Sequence, residues 1–246
     1  MRLSFLGTGA GNFRGGARHP SGAIVDGLLL DCGAGATGRL HDLQRFDEVE
    51  AVLISHLHTD HVAGLFDLLL HTFLTGRRRP LTIVSPPGLS PILRAFVDVH
   101  AMVRDPAQLY DLRIVEEDRP SVTIGAWTVR GVPLAHTVPD LGYLATSDRL
   151  SLFYTGDTRE PSAAHELRTD VLIHEATFDE EHRELAHRFG HSTGADAAEA
   201  ATAMKARRLF LTHLGDAPDL ESRVARESRT RFAETVVASD GASFDL

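Results

Sequence analysis

Short apolar runs, each bounded by glycine or polar residues, recur along this chain with helical stretches between them. Residues 3–6, 23–25, 28–30, 51–54, 127–134, 150–154, 171–173, 209–212 and 235–238 have the length and β-branched content of buried strands, the last of these closing the series. Asp26-Gly27 joins the second and third runs and is the strongest short hairpin signal in the chain. A second hairpin is expected where residues 142–146 and 150–154 turn at Ser147-Asp148-Arg149. Helical spacing is expected after residue 64, over 91–103 and over 195–206. Thr193, with Asp196 three residues on, gives that last helix a capping-box start. Residues 216–231 are charged and read as a surface helix. With no short repeat, low-complexity tract or linker, residues 1–246 read as a single α/β domain.

The side chains at the ends of these runs narrow the picture. Six of the runs lead, at their C-terminal ends, into a carboxylate or an imidazole: Asp31, the cluster at His56, His136, Asp157, His174-Glu175 and His213. In layered α/β folds such ends gather at one cleft, so these side chains are expected to converge. The densest group is Ser55-His56-Leu57-His58-Thr59-Asp60-His61. In extended backbone His56 and His58 project to the same side and can share one cation. Asp60 and His61 fall where the chain turns toward the following helix, so they aim elsewhere and can hold a second. Imidazole with carboxylate suits zinc, with manganese or iron as substitutes. Gly7-Thr8-Gly9-Ala10-Gly11-Asn12 fails as a dinucleotide fingerprint and reads instead as a tight glycine turn beside the site.

Composition sets outer limits. A chain of 246 residues, 43% hydrophobic, can bury a sizeable core. One cysteine, Cys32, excludes an internal disulfide framework and fits a cytosolic protein. No stretch approaches the roughly 20 apolar residues of a membrane span. The net charge of −9 is a poor footprint for gripping a long polyanion, so nucleic acid is not the favoured partner. Arg77-Arg78-Arg79 is a basic loop, read as a solvated turn with substrate-phosphate binding as the alternative.

His56-Leu57-His58-Thr59-Asp60-His61, then His136, then the Asp of Tyr154-Thr155-Gly156-Asp157-Thr158, then His213 resemble the ordered ligand set of the metallo-β-lactamase superfamily. His174-Glu175-Ala176-Thr177-Phe178 and His191-Ser192-Thr193 resemble the pair of strings that marks its ribonuclease Z branch. The resemblance implies a four-layer αββα sandwich with two divalent metal ions at one edge. It implies that His56, His58 and His136 hold the first ion, that Asp60, His61 and His213 hold the second, and that Asp157 bridges them. Two such ions would hold a bridging water and lower its pKa toward about 7, giving a hydroxide nucleophile. Asp60 would also accept the water's proton. His191 would donate a proton to the leaving oxygen, with Glu175 orienting it. Asp31 would orient a ligand histidine rather than bind metal. On the plainer reading Ser192 and Thr193 are helix caps and Glu175 is a surface acid.

The chain also departs from that branch. The branch carries a glycine-rich, basic arm for tRNA between the third and fourth motifs, whereas only residues 137–156 separate His136 from Asp157 here. After Asp31-Cys32-Gly33 it continues with Glu and Gln, where this chain has Ala34 and Thr37. The expected function is therefore a metal-dependent phosphodiesterase acting on a small substrate. The alternatives are an RNA-processing endonuclease using a basic surface around Arg77–Arg79 and a homodimer, an ester, thioester or sulfate-ester hydrolase, and a non-catalytic binding protein on the same fold.

Overall fold

The computed structural model describes residues 1–11, 18–99, 111–159 and 164–246. In chain order its elements are β1 (Arg2–Gly7), β2 (Gly22–Val25), β3 (Leu28–Leu30), α1 (Ala36–Asp42), β4 (Ala51–Leu53), α2 (Thr59–Leu74), β5 (Leu81–Ser85), α3 (Leu89–Val99), β6 (Leu112–Glu116) and β7 (Ser121–Ile124). Then come β8 (Trp127–Leu134), β9 (Asp140–Thr146), β10 (Ser151–Tyr154), β11 (Val171–Glu175), α4 (Arg183–Arg188), α5 (Gly194–Ala203), β12 (Arg208–Thr212), α6 (Leu220–Arg229), β13 (Thr235–Val237) and β14 (Ser243–Asp245). The strands form two seven-stranded sheets, ordered β14-β1-β2-β3-β4-β5-β6 and β13-β12-β11-β10-β9-β8-β7.

Both faces of each sheet are covered, which explains why many strands read as unbroken apolar runs rather than alternating ones. Leu28, Leu30, Leu53 and Phe5 of one sheet meet Trp127, Tyr143, Leu152 and Ile173 of the other in the central core. The opposite side of the first sheet, with Ile24, Leu29 and Val52, packs on Leu40 of α1 and Leu65 and Leu68 of α2. The far side of the second packs Leu172, Leu209 and Leu211 on the alanines of α5 and on Val224 of α6. These are the four layers of an αββα sandwich.

Strand direction places the site. β3 and β4 are parallel, as are β10, β11 and β12. β8 and β10 both run antiparallel to β9 and so point the same way as each other. Residues leaving the C-terminal ends of six strands therefore reach two aligned sheet edges. The Asp26-Gly27 turn forms as expected, with φ of 36° and 86° suited to a two-residue hairpin.

Several local expectations need correcting. Residues 235–238 do not supply the last strand: β14 comes after them and closes the edge of the other sheet against β1. It is three residues long and carries too little periodicity to be noticed. Asp60 and His61 lie within the first turn of α2 rather than in a connecting turn. The expected helix over 91–103 begins at Leu89, and residues 100–103 lie outside the described residues, as does Asn12. Thr193 and Asp196 form the capping box of α5. Ser192 is not a cap, because its hydroxyl donates to the Thr158 carbonyl at 2.6 Å. Among the described residues, no helix is long and apolar enough to cross a membrane.

Candidate metal centre

β4 ends at Leu53, and the chain continues to His58, which is extended, with φ of −65° and ψ of 148°, immediately before α2. Extended backbone sends His56 and His58 to one side, and helical backbone then turns Asp60 and His61 to another. The start of α2 is seated by glycine: a β-carbon on Gly64 would overlap the Gly33 carbonyl oxygen. One on Gly11 would approach Asp60 Oδ2 to 2.9 Å, so the glycine turn after β1 does lie beside the site.

The structure brings the seven expected metal-binding residues into two adjoining groups. Donor atoms of His56, His58, His136 and Asp157 lie within 4.8 Å of one another, and so do those of Asp60, His61 and His213. Asp157 faces both groups. Its Oδ2 is 3.8 Å from His56 Nε2, 3.4 Å from His61 Nε2 and 3.3 Å from His213 Nε2, while its Oδ1 is buried without a partner. The Nε2 atoms of His61 and His213 are 3.2 Å apart, and His56 Nε2 is 2.9 Å from His58 Nδ1. Nitrogens directed at one another around a buried carboxylate, one of whose oxygens has no partner, are a donor set that suits a divalent cation.

Electrostatics at His56 and His58 agree with that chemistry. Burial, reinforced by His61, holds His56 well below the usual imidazole range, and burial with His136 lowers His58. Both rings thus keep a neutral lone pair, which a ligand requires. Burial would raise the Asp157 and Asp60 carboxyls, but the facing His213 and His61 imidazoles more than offset it and keep both ionised. Burial likewise opposes a charge on His61, yet Asp157 and Asp31 raise it well above the ordinary value.

Most of the rings are also held from behind. Asp31 Oδ2 lies 2.6 Å from His61 Nδ1 and accepts from Ser55 Oγ at 2.7 Å and Tyr154 OH at 2.5 Å, while Oδ1 accepts from Ser55 N at 2.7 Å. It supports His61 from outside the cluster, the place expected for it. His136 Nδ1 donates to the Gly190 carbonyl at 2.7 Å, and His213 Nδ1 lies 2.9 Å from Thr177 Oγ1. Asp31 and His213 have φ of 54° and 53°, the left-handed region that non-glycine residues seldom adopt. Backbone strain of this kind collects at sites.

His191 and Glu175 complete the cleft. His191 Nδ1 is 3.1 Å from Glu175 Oε1, and its ring lies 5.2 Å from that of His136 and 5.6 Å from that of His213. Burial would lower His191, but the Glu175 carboxylate pushes it up to about 9. Glu175 is fully buried and accepts from Thr158 N at 2.8 Å and Thr177 Oγ1 at 2.5 Å, so it is no surface acid. The His191 segment is clamped on both sides, by Ser192 on Thr158 and by Phe178 N on the Ser192 carbonyl at 3.3 Å.

Four residues beside the cluster escaped the sequence reading: Tyr154, Thr177, Gly190 and Asp140, whose Oδ1 is 3.1 Å from His56 Nδ1. Thr177 and Tyr154 stood inside motif strings without a role. Asp140 begins a strand, where the pattern directed attention only to strand ends. His174, although it is a strand-end histidine, is not among the groups that converge; its Nδ1 donates to the Glu175 carbonyl at 2.7 Å. Arg77–Arg79 is a turn remote from the cleft. Arg77 donates to the carbonyls of Val49, Arg79 and Pro80, and the 16 residues of α2 place the loop roughly 24 Å along the helix from Asp60.

Comparison with known proteins places the fold. A family model described as "Beta-lactamase superfamily domain" matches residues 27–214. The chain belongs to the β-lactamase superfamily. Within it, a Ribonuclease Z of Geobacillus kaustophilus is 30% identical over 308 aligned positions, covering 100% of this chain and 99% of the relative. A Ribonuclease Z of Archaeoglobus fulgidus is 27% identical, covering 100% and 98%. The crystal structure of human tRNase Z, short form, superposes with a TM-score of 0.80 at 26% identity and covers 100% of this chain and 99% of that one. This member of the superfamily is accordingly ribonuclease Z-like, a metal-dependent hydrolase acting on phosphodiester bonds. The Geobacillus alignment sets 308 positions against 246 residues, so about 60 of its positions have no counterpart in this shorter superfamily member.

Proposed function

We propose that the chain is a dinuclear metallohydrolase of small phosphodiesters. His56, His58, His136 and Asp157 would hold one divalent cation and Asp60, His61 and His213 the other, with Asp157 reaching both. Zinc suits these donors, with manganese or iron as substitutes. When bound, the ions supply an activated water and offset the charge that develops on the phosphoryl group. Asp60, whose side chain is 19% exposed at the edge of the cleft, can take the proton that the attacking water releases. His191 carries a proton at neutral pH and gives it to the departing oxygen; Glu175 holds the ring and keeps it charged. The observation that carries this reading is the placement of the His191 imidazole, 3.1 Å from the buried Glu175 carboxylate, beside groups of metal donors that meet at Asp157.

Substrate size is limited by what is missing between His136 and Asp157. That stretch is used up by β9, a short turn held by Ser147 N donating to the Leu150 carbonyl at 2.9 Å, and β10. No length remains for an RNA-gripping arm, and the net charge of −9 disfavours a long polyanion. The cytosol is the compartment that fits, since Cys32 is buried and free. A second reading, an RNA endonuclease, is favoured by relatives named Ribonuclease Z along their whole length. One panel separates the two: a bis-aryl phosphodiester, cyclic nucleotides, pre-tRNA, an aryl sulfate, a thioester and a β-lactam, each with zinc and with manganese. Turnover confined to the small phosphodiesters is expected. Efficient single-site cleavage of pre-tRNA would overturn the small-substrate reading, and turnover of the sulfate or thioester alone would overturn phosphodiester hydrolysis.

A further inference from the structure

The loop that presents His191 is held by a carboxylate on the next helix. Residues 189–193 join α4 to α5, and the end of α4 sets their path: His191 N donates to the Ala186 carbonyl at 2.8 Å and Gly190 N to the His187 carbonyl at 3.3 Å. α4 itself has little to keep it in place. It is six residues long and buries only the Ala186 side chain, and so short a helix depends on contacts made to it from outside. Gly190 supplies no side-chain anchor, since its φ is 77° and a β-carbon there would stand 2.9 Å from His136 Nδ1.

The outside hold comes from Asp196, in the first turn of α5 and only 6% exposed. Its Oδ1 accepts from Arg183 Nε at 2.9 Å and from Arg183 Nη2, and its Oδ2 lies 3.1 Å from His187 Nε2, so both the start and the end of α4 are tied to it. Oδ2 also accepts from Thr193 N and Thr193 Oγ1, each at 2.9 Å, which fixes the far end of the loop. Burial would raise this carboxyl, but Arg183 and Thr193 hold it below the ordinary carboxylate range, so it stays ionised. We propose that Asp196 is a positioning residue for His191: by joining Arg183 and His187 of α4 to Thr193, it closes the base of the loop between them and fixes where the imidazole stands. Capping α5 requires only Thr193; the contacts to Arg183 and His187 serve the loop. This rests on the reading of His191 as the proton donor.

The test uses two variants of the Zn²⁺-loaded protein. Asp196→Asn keeps the shape but has a single acceptor oxygen, which cannot serve Arg183 and Thr193 alike. Arg183→Gln releases α4 and leaves the cap of α5 in place; its side chain is 32% exposed, so it decides the matter alone should Asp196→Asn not fold. Residue-resolved hydrogen exchange should show the His191 amide losing protection by about tenfold or more in each variant. Turnover is compared on a cyclic nucleotide, which leaves as an alkoxide, and on a bis-nitrophenyl phosphodiester, whose leaving group needs no proton. Each variant should lose about 10–100-fold in kcat on the first, the effect of misplacing a reacting group by about an ångström, and about threefold or less on the second. The double variant should lose no more than Asp196→Asn alone, because both changes cut one link. Equal losses on the two substrates, or a His191 amide as protected as in the wild type, would overturn the proposal. His191→Ala serves as the reference: if it keeps full turnover of the cyclic nucleotide, the proton-donor reading itself fails, whereas wild-type behaviour of both variants beside a slowed His191→Ala removes only this inference.

Discussion

Replacing Glu175 with Gln keeps the shape of the cleft and removes one charge. The buried amide oxygen can still accept from Thr158 N and from Thr177, so the local fold should survive. What changes is His191. Its folded value of about 9 lies above the ordinary 6.5 because Glu175 overcomes the effect of burial, a difference worth about 3 kcal/mol between the two protonation states. Without that carboxylate only the more distant Asp157, at 3.9 Å, still opposes burial, so the ring should titrate well below 9. Because the wild-type value is raised on folding, the stabilisation is complete below about pH 6.5 and is lost as pH climbs through 9. NMR titration of His191 in metal-free protein reads this directly. In catalysis the variant should be slowed about 10²–10⁴-fold at neutral pH on a substrate with an alkoxide leaving group, the share of a general acid. Loss on a nitrophenyl phosphodiester should be much smaller, because a nitrophenolate departs without a proton. Equal losses on both substrates, or a His191 that still titrates near 9 in the variant, would refute the assignment.

The same geometry sets two further outcomes. Asp31→Ala leaves Ser55 N, Ser55 Oγ, Tyr154 OH and His61 Nδ1 buried without their acceptor, and should cost roughly 3–5 kcal/mol in urea denaturation together with weakened metal uptake. Gly64→Ala drives a methyl group into the Gly33 carbonyl and must lift the start of α2, so a loss of about 1–3 kcal/mol is expected, with reduced metal affinity because Asp60 and His61 ride on that turn.

Much of the architecture was legible because strands buried on both faces announce themselves as apolar runs, and because several of the converging side chains come soon after such a run in the chain. Ala51–Leu53 pointed to His56, Arg208–Thr212 to His213 and Ser151–Tyr154 to Asp157 by adjacency alone. The capping box at Thr193 and Asp196 was readable for the same reason, since both partners lie within one helical turn. These are local signals, and they also set the order of the ligands along the chain.

Other roles were settled by elements distant in sequence. Tyr154 serves Asp31 across 123 positions, and Gly190 holds His136 across 54, through a carbonyl that every residue type possesses. β14 is a strand only because β1 offers it an open edge. Asp140 begins a strand rather than ending one, and the imidazole 3.1 Å from it is brought by the other sheet. Sequence alone determined which side chains have the chemistry to bind and activate; folding decided which of them face one another in the cleft and which stand behind. The physical reason is that ligand chemistry belongs to a side chain, whereas orientation, burial and unpartnered charge exist only between side chains that the fold has brought together.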